Sequence, residues 1–219
     1  MSTAVRAPIT FDRSDDLAAL ARCRPDRVRF VHVPARRYLA VDGTETPGGA
    51  TFQSAVTTLY PVAYGLHVAL KRRGVSARVG MLEALYWLAP TDQLTETADT
   101  GQPELGGPRR WRLILPLPME AGEEEVQAAI KEAAGRHELA ALDRLRVVNW
   151  EEGPSAELLY IGPYAAETQA LRILHATIAQ VGLVAHGPHH EIYLNDPRQV
   201  GEEMARTVLR QPVRWPEDR

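Results

Sequence analysis

The chain has 219 residues, 45% of them hydrophobic and 24% charged, as in ordinary globular proteins. Lys plus Arg is 25 and Asp plus Glu is 28, a net charge of −3 that argues against a protein held on nucleic acid by bulk charge. A single cysteine, Cys23, excludes an intramolecular disulfide framework and a Cys-based zinc finger, and no apolar run approaches the roughly 20 residues of a membrane span.

The first stretch, MSTAVRAPITFDRSDD, turns acidic where a signal peptide would be apolar, so the expected compartment is the cytoplasm. Residues 1–26 read as an N-terminal extension, with a short helix at Asp15–Arg22 closed by Pro25. Residues 28–33 and 37–42 read as two strands joined tightly by Pro34-Ala35-Arg36, a hairpin or near-hairpin. Residues 51–73 are the clearest helix, with Phe52, Val56, Leu59, Ala63, Leu66 and Leu70 on one stripe and Tyr60, Tyr64 and His67 on its flank. Lys71, Arg72 and Arg73 suit its C-terminal dipole, and Gly74 stops it.

Residues 79–89 read as a strand with Met81, Glu83, Leu85 and Trp87 on one face. Residues 91–109 form a polar loop, and 111–118 (WRLILPLP) a further strand whose prolines suit an edge or a terminus. Residues 122–136 form a linker helix, acidic at its start, with Val126, Ala129, Ile130 and Ala133 inward. Beyond it the pattern recurs. Strands at 144–151 and 156–161 flank a Glu-Gly-Pro turn, and a helix at 165–181 carries Ala170, Ile173, Leu174, Thr177, Ile178 and Val181 on one side. Strands at 190–196 and 206–213 follow. Each half is strand, strand, helix, strand, strand, so 27–118 and 144–213 read as two pseudo-repeats of one domain spanning 27–219.

Two glutamates break the apolar pattern at matching places. Glu83 and Glu191 both lie in the third strand of their half, each sharing a face with an aromatic ring, Trp87 or Tyr193. A carboxylate on an apolar strand must be paired, hydrogen-bonded or protonated. Packing of the halves about a pseudo-twofold axis would bring both into one cleft lined by Tyr60 and Tyr64. The competing reading is a salt-bridge partner or a solvent-facing residue for each glutamate, and helix-flank packing for the tyrosines. His189, His190 and Glu191 do not read as a metal site, because neighbouring strand residues point to opposite faces. His175, opposite its helix's apolar stripe, reads as surface, and His32 as structural. No Gly-x-Ser-x-Gly occurs and Cys23 has no base beside it, so a nucleophile-based hydrolase is unsupported.

Seven segments taken in order carry a resemblance: VHVPARRYLAVDG, LYPVAYGLHVALK, GMLEALYWLAP, WRLILPLP, LYIGPYAAE, HHEIYLNDPR and TVLRQPV. From Val28 to Val213 the chain resembles the stand-alone GyrI-like small-molecule-binding proteins. The resemblance implies an α+β fold of duplicated SHS2 modules, whose strands form an antiparallel sheet with helices and a central ligand groove. Relatives include effector domains of multidrug-sensing regulators, which hold cationic aromatic drugs against a buried Glu, and hydrolases that open cyclopropanoid genotoxins. Charge pairing and cation–π contact make such a site physically sensible. The pattern departs at Tyr86-Trp87, where the family carries paired tryptophans.

By resemblance, Glu191, Tyr64 and Glu83 carry the chemistry, and Tyr60, Trp87, Trp111 and Tyr193 contact the ligand. Glu191 would orient or deprotonate the attacking water, its pKa raised by burial. Tyr64 or Tyr193 would hydrogen-bond the substrate carbonyl, and Glu83 would tune Glu191 or select a cation. No cofactor or metal is expected. The expected partner is a small-molecule ligand, with no membrane and no direct nucleic-acid binding, since 26 leading residues are too few for a helix-turn-helix module. A homodimer stands among the expected assemblies. The alternatives are a non-catalytic sequestering module or a gyrase-interacting protein.

Overall fold

The computed structural model describes residues 9–14, 17–87 and 110–216. The loop expected at 91–109 therefore lies outside the described residues, as do Asp15 and Asp16. In chain order the elements are β1 (Asp12–Arg13), α1 (Leu17–Leu20), β2 (Arg29–Val33), β3 (Arg36–Gly43), α2 (Ala50–Arg72), β4 (Glu83–Trp87) and β5 (Arg110–Pro116). Then come α3 (Glu123–Arg136), β6 (Leu145–Trp150), β7 (Gly153–Ile161), α4 (Thr168–Gln180), β8 (Val184–Ala185), β9 (His189–Tyr193), α5 (Pro197–Val200) and β10 (Arg206–Arg214). The class is α+β, and every strand pairing but the parallel β1–β2 contact is antiparallel among the described residues.

The described chain divides into two compact units, one of residues 9–34 and 151–216, the other of 35–87 and 110–150. The first runs β1-β2-β7-β10-β9, with β8 beside β10, and the second runs β4-β5-β3-β6. This pairing corrects the hairpin expected for 28–33 and 37–42. β2 pairs with β7, not β3, while β3 pairs with β5 and β6. The physical reason is in the connection. A tight hairpin turn wants Gly or Asn at positive φ, and Pro34-Ala35 supplies neither. Among the described residues the chain instead leaves one unit at Pro34 and rejoins it at Glu151.

In the first unit α4 buries Leu171, Leu174 and Ile178 against Ala156 and Leu158 of β7 and Leu209 and Val213 of β10. The stripe is rotated from the expected one, leaving Ile173 exposed and His175 half-buried rather than on the surface. In the second unit α2 buries Phe52, Ala55, Thr58, Leu59, Val62, Leu66 and Leu70, and α3 contributes Val126, Ala129 and Ala133. Val56 and Ala63 of the expected stripe are only half-buried. Crowding is tight where β3 ends. A Cβ at Gly43 would stand 2.1 Å from the Trp111 ring, so only glycine fits there.

The far face of the first unit, away from α4, carries a row of charge among the buried Val31, Leu159, Val208 and Ile192. Arg29, Glu157, Arg210 and His190 lie directly opposite one another across β2, β7, β10 and β9. Arg210 donates to Glu157 Oε2 through Nε (3.0 Å) and Nη2 (2.9 Å), and through Nη1 to Glu152 Oε2 (3.1 Å). His190 Nδ1 lies 3.0 Å from Glu152, and Arg29 Nη1 donates to Glu157 Oε1 at 3.1 Å. The N-terminal segment caps the row. Ser14 Oγ lies 3.3 Å from Arg210 Nη2, and the Cys23 thiol donates to Glu157 Oε1 at 3.1 Å. Burial, reinforced by the Glu157 charge, pushes that thiol up to about 12, so it stays a donor and is no nucleophile.

Removing one member of a buried ion network strands its partners, a loss of about 3–5 kcal/mol. Arg210→Met, which leaves both Glu152 and Glu157 short of a cation, is expected to lower stability by that order in urea unfolding. The acid dependence is set by Glu152. Burial raises its pKa, but His190 and Arg210 outweigh burial and hold it below the ordinary 4.5. Its contribution is thus complete above the unfolded value and lost as pH falls through the lower native one. Glu152→Gln is expected to flatten the acid limb of the stability–pH curve, read from unfolding midpoints.

Candidate active site

Strand β9 alternates cleanly. His190 and Ile192 face Arg210 and Val208 on the charged side of the first unit. His189, Glu191 and Tyr193 share the other side, because Glu191 lies opposite Leu209, which packs in the α4 core. Glu191 is 5% exposed. Tyr193 Oη donates to Glu191 Oε2 at 2.9 Å, an i to i+2 contact that strand alternation provides directly. His189 Nε2 stands 3.8 Å from Glu191 Oε1, too long for a hydrogen bond but close enough to feel the charge.

A residue that sequence reasoning missed completes this cluster. Tyr164, in the single turn Tyr164–Ala166 that precedes α4, sets its ring edge-to-face on Tyr193 with centroids 5.6 Å apart. Its hydroxyl is pushed up to about 12, first by burial and then by the negative charges of Glu191, Asp196 and Glu167. Tyr164 is therefore a protonated donor at neutral pH. The arrangement is a buried carboxylate steadied by one phenol, with a second phenol at its edge. It can accept a proton from water or pair with a cation, while Tyr164 donates to a developing oxyanion.

The remaining expected residues lie in the second unit and are described within it. Glu83, 6% exposed, sits opposite Ile114 among Tyr38, Ala40 and Leu85. That face is the one away from α2, because Phe52 of α2 packs on Trp111, which lies opposite Tyr86. Glu191 instead shares its face with α4. The two glutamates are thus out of phase by one strand position relative to their helices, which corrects their apparent equivalence. A shift of one residue turns every side chain to the other face. Trp87 shares the Glu83 face and lies under two guanidiniums, Arg110 at 5.2 Å and Arg112 at 5.7 Å.

Arg112 in turn grips Asp42 with two bonds of 2.6 and 3.1 Å, and Arg146 joins the same carboxylate. Burial raises the Asp42 pKa, but the bonding and charge of Arg112, with Arg146 and Arg110, bring it below the ordinary value. Tyr60 and Tyr64 stack on each other at 6.0 Å and 28°, and Tyr64 is 57% exposed. Trp111 is 0% exposed. Its Nε1 donates to the Glu45 carbonyl and its ring is spent on Phe52 and the Gly43 backbone. It is placed as a core residue, not as a ring presented for stacking. Among the described residues no group of three His, Cys, Asp or Glu could hold a metal ion, and no helix is long and apolar enough to cross a membrane.

The chain matches no family model and no curated protein. It does resemble solved structures. An uncharacterized conserved protein from Listeria innocua is 27% identical, with a TM-score of 0.76 over 90% of this chain and 97% of that one. Two structures of Listeria innocua hydrolases are 25% and 26% identical, with TM-scores of 0.72 and 0.73, each over 90% of this chain and 96% of the other. The C-terminal domain of EcmrR, at 10% identity and a TM-score of 0.53 over 87% of this chain and 98% of that domain, shares the fold alone.

Tyr193→Phe deletes the phenol that steadies a buried carboxylate. Hydrogen bonds to charged groups are worth about 1.5–3 kcal/mol. The variant is expected to lose stability of that order at neutral pH, measured by urea unfolding. The fold is thus shared over 90% of this chain with the Listeria innocua proteins, two of which are called hydrolases.

Proposed function

We propose that this chain is a GyrI-like small-molecule-binding protein that hydrolyses cyclopropanoid genotoxins, with Glu191 as the base. The observation that carries the reading is the buried Glu191 carboxylate held by Tyr193, with the protonated Tyr164 phenol beside it. The Listeria innocua hydrolases, a quarter identical over nine-tenths of the chain, support hydrolysis as the reaction class. The strand orders support a duplicated SHS2 organisation. β2-β7-β10-β9 and β6-β3-β5-β4 run through corresponding elements of the two halves, once their first strands are exchanged.

In this reading the substrate carries a carbonyl conjugated to a cyclopropane. Glu191 takes a proton from water as the water oxygen bonds to the cyclopropane methylene. The strained carbon–carbon bond breaks, and its electron pair moves through the conjugated ring to the carbonyl oxygen. Tyr164 donates a hydrogen bond to that oxygen as it gains charge, while Tyr193 keeps Glu191 aimed. The proton on Glu191 then neutralises the phenolate through solvent, so the product is substrate plus one water. Within the second unit, the half-buried Tyr60 and the exposed Tyr64 form a stacked pair that suits a planar ring. Trp87 and Glu83 are assigned to ligand selection, and each assignment is read from its own variant.

A binding-only reading is favoured by one feature. A carboxylate beside the Tyr193–Tyr164 ring pair also suits a cation. Turnover separates the two. General-base help is worth roughly 10²–10⁴ in rate, so Glu191→Gln is expected to lower kcat on a cyclopropanoid alkylator by that factor in a protein that still folds. Unchanged turnover removes Glu191 from the chemistry. Ligand recovered intact, with a raised Tm, selects the sequestering module.

A further inference from the structure

On the α4 face the row above Glu191 consists of Tyr160, Thr207 and Tyr193, directly opposite one another on β7, β10 and β9. Two of these three hydroxyls are committed. Tyr160 Oη donates to the Pro163 carbonyl at 2.9 Å and Tyr193 Oη to Glu191 at 2.9 Å. Thr207 is 1% exposed, and its Oγ1 is buried without a hydrogen-bond partner. A buried hydroxyl left unpaired costs stability, and nearly all such groups in native proteins are satisfied. Valine would fill the same volume without that cost. Thr207 is two residues from Leu209, which lies opposite Glu191, so Thr207 and Glu191 are diagonal neighbours on one face, their backbone positions about 7–8 Å apart.

We propose that the Thr207 hydroxyl is a specificity-determining group that donates a hydrogen bond to an oxygen of the bound substrate beside Glu191. This rests on the Glu191 reading and narrows its substrate class to compounds bearing a carbonyl oxygen, in preference to bare cations. Tyr193, half-buried, lies directly across from Thr207 on the neighbouring strand.

Two probes and two variants test this. The first probe is a spirocyclopropyl cyclohexadienone, which carries the carbonyl. The second is tetraphenylphosphonium, a cation with no oxygen. Thr207→Val is expected to lower kcat/KM for the dienone about tenfold, the size of one hydrogen bond. Its Kd for tetraphenylphosphonium, by calorimetry, should stay within twofold, and its ligand-free Tm should be unchanged or raised. Thr207→Ser, which keeps the hydroxyl, should retain dienone kcat/KM within about threefold. Equal dienone kinetics in Thr207→Val and wild type overturn the proposal. So does a Tm of ligand-free Thr207→Val several degrees below wild type, which would mean that the hydroxyl serves the fold. Glu191→Gln separates the two levels of failure. If it loses activity while Thr207→Val does not, only the Thr207 role falls. If the protein engages neither probe, or Glu191→Gln matches wild type on both, the underlying reading falls and takes this one with it.

Discussion

The buried ion network around Arg210 constrains the rest of this site. It needs His190 on the charged side of β9, within reach of Glu152. Once His190 is pinned there, strand alternation sends Glu191 to the α4 side, and no small adjustment can reverse this. The strand is thus fixed by charge on one face and presents the buried Glu191 carboxylate on the other. Pure hydrocarbon on the far face would be a cheaper way to hold β9, since buried ion pairs are often no more stable than apolar substitutes. What the ions add is register. Arg29, Glu157, Arg210 and His190 pair in one row across four strands. A slip by one residue would bury every member without a partner.

The same logic separates the two glutamates that looked alike. Glu191 shares a face with its unit's helix, while Glu83 faces away from α2 with Trp87, Arg110 and Arg112 nearby on the strands. Each is a buried carboxylate, but the environments differ in kind. Around Glu191 stand phenols, which donate hydrogen bonds and carry no charge while protonated. Along the Glu83 face stands a guanidinium cluster neutralised in part by Asp42.

Much of this was legible in the sequence, and the failures have definite causes. The long helices and the main strands follow from period and from caps, since a 3.6-residue stripe in 51–73 has few other uses. Glu191 and Tyr193 stood out because a carboxylate interrupts an apolar strand. Strand partners did not stand out. Alternation reports which face is buried and says nothing of the neighbour, so the crossing between units at Pro34 reads as a hairpin. Glu157 and Arg210 were passed over because single charges in AELLYI and TVLRQPV look like solvent-facing positions. Tyr164 lies in a short turn with no periodicity to betray its direction. Trp111 entered through the family resemblance, and an aromatic on a strand serves equally as ligand platform or as core. Gly43 directly across from it, leaving room for the ring, was the available sign of core.

The central claim is that Glu191 activates water against a strained ring. The most direct measurement follows a cyclopropanoid alkylator through many turnovers in oxygen-18 water, by mass spectrometry, with wild type and Glu191→Gln side by side. The account predicts one labelled oxygen at the former cyclopropane carbon, formed by wild type and lost in the variant. Unlabelled product, or labelled product formed equally by the folded variant, would contradict it.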